Sequence, residues 1–258
     1  MSFQSENLFA QPRKNLNRDD CFFYHVCDIP DVGTVGGHWD LRDTIEDYLG
    51  HFDFSGQSVL DIGTASGYLT FEMEKRGASV VSFDVLDETV TEIVPFWNDP
   101  LKSEAILAAQ HKGFERLKNS YWYCHEHFAS KAKAYYGNIY HLPESLGKFD
   151  AIMIGMCLPH IRDQLGALES ITKLAKKTVI ITQQTLNDER PIMQMIAQDN
   201  SENMENLRFA WWLMSDGCIK NFMGILGFKL KKMYKAKHKC VAYNPERYEE
   251  CTSFIFQK

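Results

Sequence analysis

The sequence predicts an α/β protein built on a doubly wound, mostly parallel seven-stranded sheet with an antiparallel C-terminal hairpin. Three observations carry this. Short continuous apolar runs, such as Gln57–Ile62 and Thr178–Thr182, alternate with stretches of helical periodicity. That pattern belongs to parallel strands covered on both faces. The first run passes through a turn of small residues, Gly63–Gly67, directly into a helix, the strand–loop–helix unit of Rossmann-like sheets. The two closing runs, Phe228–Tyr234 and Thr252–Phe256, have no helix between them, so they pair as a hairpin.

Taken in order, residues 1–20 are polar and read as loosely held. Cys21–Leu41 is aromatic and turn-rich, and Arg42–His51 reads as a short helix. Residues 1–51 are thus an N-terminal extension and flap ahead of a domain spanning 52–258. Within that domain, Gln57–Ile62, Ser79–Asp84, Lys133–Gly137, Phe149–Gly155 and Thr178–Thr182 are the parallel strands. Helices are expected over Ser66–Gly77, stopped by its glycine, over Ile161–Leu174 and over Cys218–Leu226. One connection is too long: Val85–Ala132 holds 48 residues, where a crossover needs only a helix and two short loops. This helical insert carries Phe96, Trp97, Phe114, Tyr121, Trp122, Tyr123 and Phe128. It reads either as a lid or substrate wall or as an extra packing helix.

The 258 residues are 45% apolar and 24% charged, which suits one large domain and excludes disorder and coiled coil. A net charge of −6 argues against a dedicated nucleic-acid binder. No apolar run approaches the roughly 18 residues of a membrane helix, and residues 1–20 lack a signal-peptide core. The expectation is a cytoplasmic protein without a membrane partner. Seven cysteines without CxxC spacing read as reduced thiols. Cys124–His127 offers a cysteine and a histidine on one helical face, yet no second cluster completes a ligand set, so no metal is expected. Six lysines lie between Lys229 and Lys239. Strand alternation places Lys229, Lys231, Lys235, Lys237 and Lys239 on one face. That face reads as a solvated edge that blocks strand-to-strand aggregation or as an RNA-backbone contact.

The glycine turn is the sharpest signal. Asp61, Gly63, Thr64, Ala65 and Gly67 form a D-x-G-x-x-x-G pattern, and Asp84 and Val85 end the next strand 17 residues after Gly67. Such a turn brings a ligand against backbone N–H groups, while a carboxylate at Asp84 accepts the hydroxyls of a ribose. Nicotinamide and adenosyl cofactors both use units of this kind. An acid at position 61 repels a pyrophosphate but suits the ammonium of an amino-acid moiety.

The pattern resembles the cofactor loop of class I methyltransferases, which implies S-adenosylmethionine as cofactor. By the same resemblance Asn138 takes the adenine amino group, Ile139 covers the ring, and Gly155 and Met156 lie beside the sulfonium. His160 then faces the acceptor, and its ordinary pKa near 6.5 suits a general base. Tyr24, His38, Trp39, Trp122 and Trp211, with Trp212 beside it, are expected to wall the acceptor pocket. Gln183 and Gln184 orient a polar group there. Arg42, in the flap with His25, pairs with the methionine carboxylate.

A closer resemblance, to the tRNA wobble-uridine carboxymethyltransferase-like family, rests on four segments. They are Gly36–Arg42, Leu60–Gly63, Phe149–Asp150 through Leu158–His160 to Leu165–Leu168, and Asn206–Phe209 leading to Ile225–Phe228. The departures are a missing Trp-Arg-Lys-Gly segment, whose lysine holds a carboxylated cofactor in that family, and Pro159 where the family has tyrosine. The expected reaction is therefore ordinary methyl transfer to a nitrogen, oxygen or sulfur atom of a small molecule. RNA modification is the alternative.

Overall fold

In the computed structural model the described residues are 8–86, 100–197 and 210–258. The chain opens with an antiparallel hairpin of β1 (Cys27–Ile29) and β2 (Gly33–Val35), then β3 (Trp39–Asp40) and the one-turn helix α1 (Ile45–Tyr48). The α/β unit follows: β4 (Ser58–Ile62), α2 (Tyr68–Lys75), β5 (Ser79–Val85), α3 (Pro100–His127), β6 (Lys133–Gly137), β7 (Phe149–Gly155), α4 (Gln164–Thr172) and β8 (Ala175–Gln183). A small antiparallel ribbon of β9 (Met193–Met195) and β10 (Trp212–Met214) precedes α5 (Asp216–Ile225). The long hairpin of β11 (Lys229–Cys240) and β12 (Arg247–Gln257) completes the chain.

The main sheet runs β3-β11-β12-β8-β7-β4-β5-β6. Its β8-β7-β4-β5-β6 portion is parallel, and β12 inserts antiparallel between β8 and β11. The sheet thus has eight strands rather than seven. The addition is β3, whose two residues pair with Lys239 and Cys240 and are too short to leave an alternation pattern. Along β4, Leu60 and Ile62 join one buried cluster with α4 and α5, while Val59 joins the other with α1, α2 and α3. Burial on both faces is why this strand reads as an unbroken apolar run.

Three expectations change. Residues 8–20 are tied down: the Ala10 N–H donates to the Ala134 carbonyl, Arg13 hydrogen-bonds Glu115 and Asn119 on α3, and Leu8 and Phe9 pack on the core. The insert contains one 28-residue helix, α3. Tyr121, Trp122 and Cys124 bury its last turns in the core, so it is partly packing helix and partly wall. Phe96 and Trp97, like Asn206–Phe209, lie outside the described residues.

The lysine run does not form one basic face. A bulge between Leu230 and Lys232 resets the alternation. Lys229 and Lys232 then fall on the side of Ile255, whereas Lys235, Lys237 and Lys239 share the side of Phe254. Lys235 pairs with Asp216 and Lys239 with Glu246, each at 2.7 Å, and Lys237 sits opposite Glu250. Among the described residues no helix is long and apolar enough to cross a membrane.

Candidate cofactor and acceptor site

The turn after β4 is held in a conformation that side chains resist. Gly63, Ala65 and Gly67 have φ of 75°, 51° and 86°, in the left-handed region that favours glycine. A Cβ on Gly67 would lie 2.5–2.8 Å from the rings of Phe71 and Tyr121, and one on Gly63 would meet Cys157 Sγ at 3.0 Å. Ala65 tolerates its strained backbone because its N–H donates to Asp84 Oδ2 at 2.8 Å. The Gly63 and Thr64 N–H groups both donate to the Phe83 carbonyl, locking the turn to β5.

Beneath the turn Asp61 is completely buried. Its Oδ2 accepts from the Thr70 hydroxyl at 2.6 Å, and its Oδ1 has no partner. Burial pushes the carboxyl up to about 6, against the opposing hydrogen bonds of Thr70 and Thr64. An orphaned, buried carboxylate oxygen below a glycine turn calls for a cation or a proton.

A cavity of about 390 Å³ opens over the carboxyl ends of β4, β5, β6 and β7, at the scale of small-molecule and cofactor sites. Asp84, Val85, Asn138 and Ile139 line it on the β5–β6 side. Gly155, Met156 and Cys157 line it on the β7 side. The N-terminal flap supplies Phe22, Tyr24, His25 and Trp39, and the middle of α3 supplies Gln110, Gly113, Phe114 and Leu117. Asp84 is fixed at the strand end, its Oδ1 accepting from the Val85 N–H at 2.8 Å. Asn138 uses its Oδ1 to cap the following turn at Tyr140, and Met156 enters its loop at φ 49°.

Of the residues expected at the site, Gly63, Thr64, Ala65, Asp84, Val85, Asn138, Ile139, Gly155, Met156, Tyr24, Trp39 and His160 line the cavity. His160 is exposed, on the turn Leu158–His160. Asp61 and Gly67 support the turn from below. The others do not line the cavity. Trp122 is buried in the core, edge-on to Tyr121. His38, within the flap, sets its ring against Phe22 and Tyr24. Gln183 is wholly enclosed at the end of β8, and Gln184 hydrogen-bonds Glu249. Trp211 is tied by its N–H to the Pro159 carbonyl, and Trp212 by its indole to the Arg162 carbonyl. Arg42 forms ion pairs with Asp40 and Asp28 on the outer side of the flap, so its expected partnership with a methionine carboxylate falls away.

Sequence reading missed Phe22, Tyr48, Gln110 and Leu117 as lining residues, while Phe114 comes from the insert that reads as wall or packing helix. None belongs to a motif, and only tertiary packing brings them to the cavity. His25 also lines it, stacked on Tyr68 at 5.2 Å, and burial drives its pKa down to about 3, so its imidazole is neutral. Cys124, from the Cys124–His127 segment, contacts the Cys27 thiol, and His125 donates from Nε2 to the Ala132 carbonyl.

A glycine turn over an orphaned acid, with a second acid ending the neighbouring strand, defines a nucleotide-cofactor enzyme of the doubly wound class. A family model described as a methyltransferase domain matches residues 38–227, and the chain belongs to that family. It is similar to the magnesium protoporphyrin IX methyltransferase of Synechocystis PCC 6803, solved with bound S-adenosylhomocysteine: 15% identity over 84% of this chain and 81% of that one, TM-score 0.52. It is also similar to the 1,6-didemethyltoxoflavin N1-methyltransferase of Burkholderia thailandensis: 15% identity, 84% and 77% coverage, TM-score 0.50. No curated protein matches the chain. At this identity the solved structures speak to the fold, and the family match is to methyltransferase domains in general rather than to the wobble-uridine branch.

The protein is an S-adenosylmethionine-dependent methyltransferase, and the residues present fit that cofactor. The turn keeps space that a Cβ would fill at Gly63, Asp61 has an unpaired oxygen beneath that turn, and Asp84 lines the cavity at the end of β5.

Proposed function

We propose that the protein methylates a nitrogen, oxygen or sulfur atom of a small molecule. The observation that carries this reading is the character of the cavity. It is roofed by the flap and α3, walled by Phe22, Tyr24, Trp39 and Phe114, and none of its described lining residues is lysine or arginine. A phosphodiester backbone needs cations, whereas a compact, weakly polar acceptor is served by aromatic walls.

When bound, S-adenosylmethionine supplies a methyl carbon already activated by the sulfonium charge. Asp84 holds the ribose, Asn138 and Ile139 the adenine, and the turn at Gly63–Ala65, with Asp61, the amino-acid end. The apolar roof excludes water, which strengthens every charge interaction inside. Tyr24 and Trp39 present ring faces that suit a cationic product. His160, on the turn leaving β7, takes the proton from an acceptor that must lose one. The seven free thiols support a reducing, cytoplasmic setting.

The divided lysine run weakens one of the two supports of the RNA alternative, the other being the wobble-uridine resemblance. Two assays separate the readings. Metabolite pools should drive turnover to S-adenosylhomocysteine, while bulk tRNA should show no saturable, salt-dependent binding. Turnover confined to tRNA would overturn the proposal.

A further inference from the structure

Two tyrosines, Tyr24 and Tyr48, line the cavity. Tyr48 ends α1 and is 3% exposed. Its ring stands edge-on to His238 at 5.1 Å, and its carbonyl accepts from the Thr182 hydroxyl at 2.7 Å, so the side chain is fixed from two sides. A Cβ built on Gly155 would lie 3.3 Å from the Tyr48 hydroxyl, which has no hydrogen-bond partner among the described residues. Tyr24 donates its N–H to Ser66 Oγ of the glycine turn at 3.1 Å and accepts the His38 N–H at its carbonyl. The Trp39 side chain neighbours its phenol, whose O–H remains able to donate. Both residues line the cavity, with Asp61 and Cys157 among the groups that act on Tyr48.

The position is informative. The ribose acceptor Asp84 ends β5, on one side of β4, and Gly155 ends β7, on the other. Tyr48 therefore stands across the glycine turn from the nucleoside end. An amino-acid moiety reaching that side brings a carboxylate, and no lysine or arginine is among the described residues that line the cavity: Arg42 is committed outside, and His25 is neutral. Neutral O–H donors are what remains.

We propose that the Tyr24 and Tyr48 hydroxyls together bind the carboxylate of the cofactor's amino-acid end, while Asp61 below takes its ammonium. The inference rests on the S-adenosylmethionine reading of the site. Burial raises both phenols above their ordinary values, so they stay protonated and remain donors across the physiological range. A pair of neutral donors accepts the carboxylate without adding a positive charge beside the sulfonium, whose repulsion an arginine would increase.

Calorimetric titration with three ligands tests this. S-adenosylhomocysteine carries the whole amino-acid end, its decarboxylated analogue keeps only the amine, and 5′-methylthioadenosine lacks both. Tyr48→Phe and Tyr24→Phe remove one oxygen each and keep the rings. Each should weaken S-adenosylhomocysteine roughly tenfold or more, as expected for a hydrogen bond to a charged group, and leave the other two ligands unchanged. Unchanged 5′-methylthioadenosine affinity also reports that the variant site is folded. Equal weakening of all three ligands, weakening of the decarboxylated analogue, or no weakening at all would each overturn the assignment. Silence of the wild-type protein toward S-adenosylhomocysteine would instead remove the cofactor reading beneath it.

Discussion

Thr70 gives its hydroxyl proton to Asp61 across 2.6 Å, and this bond ends a chain of hydroxyls that crosses three elements. Thr70 has one proton, so Ser82 on β5 donates to Thr70 at 2.7 Å, and Tyr121 on α3 donates to Ser82 at 3.0 Å. The long helix of the insert is thereby coupled to the acid under the glycine turn, entirely through buried groups. Removing a link leaves a buried donor or acceptor unpaired, which costs about 1–3 kcal/mol. Thr70→Val should therefore lower the unfolding free energy by that amount in urea titration, and weaken S-adenosylhomocysteine at the same time.

Asp61 also predicts a pH dependence with a definite sign. Its carboxyl is raised to about 6 in the fold, from about 4 when unfolded. Between those values the native state holds a proton that the unfolded chain has lost. Stability contributed by this group is thus complete below pH ~4 and falls as pH rises toward ~6, by on the order of 3 kcal/mol. Ligands that bring an ammonium prefer the ionised form, so their affinity should rise over the same interval. Asp61→Asn should flatten both curves; thermal melts and calorimetry from pH 4 to 7 that show parallel slopes for variant and wild type would refute the assignment.

Asp84 does two things at once. It accepts from Ala65 and Val85, and in the proposed function its carboxylate holds the ribose. Asp84→Ala should weaken S-adenosylhomocysteine by about 1.5–3 kcal/mol through loss of hydrogen bonds to a charged group, with some slackening of the turn at Ala65. An unchanged dissociation constant in calorimetry would contradict the ribose role.

What the sequence discloses divides along physical lines. The strand Phe149–Gly155 has observed bounds identical to those expected, because a central strand buried on both faces reads as a mostly apolar run with punctuation at its ends. The glycine turn is legible because its backbone angles restrict residue type. Tyr48 and Gln110 are not legible as site residues, since tyrosine and glutamine on a helix serve packing equally well. Arg42 is hard to read for a related reason: Asp40 lies two residues away, but its second partner, Asp28, becomes a neighbour only when β1 and β3 are placed. The lysine run misled because a single bulge at Leu230–Lys232 inverts every later side chain.

Gly67 offers a test of the turn itself. Its φ of 86° is unfavourable for any L side chain, and a methyl group there would press on Phe71 and Tyr121 at 2.5–2.8 Å. Gly67→Ala combines backbone strain of about 1–3 kcal/mol with overpacking of similar size. The variant should melt several degrees lower and lose cofactor affinity in parallel. A variant as stable as wild type would mean that the turn relaxes freely and is not the rigid cradle described.

In the proposed function His160 bears on chemistry rather than on binding. It is exposed and lines the cavity, on the turn that leaves β7. His160→Ala should therefore leave S-adenosylhomocysteine affinity near the wild-type value and slow the single-turnover methylation rate by about 10²–10⁴-fold if the acceptor must lose a proton. An acceptor that is a thioether or a free amine needs little base, and the same variant would then react at nearly the normal rate. The ratio of the two rates consequently reads out the class of nucleophile: a large loss identifies a hydroxyl or another protonated acceptor, and a small one removes His160 from the mechanism.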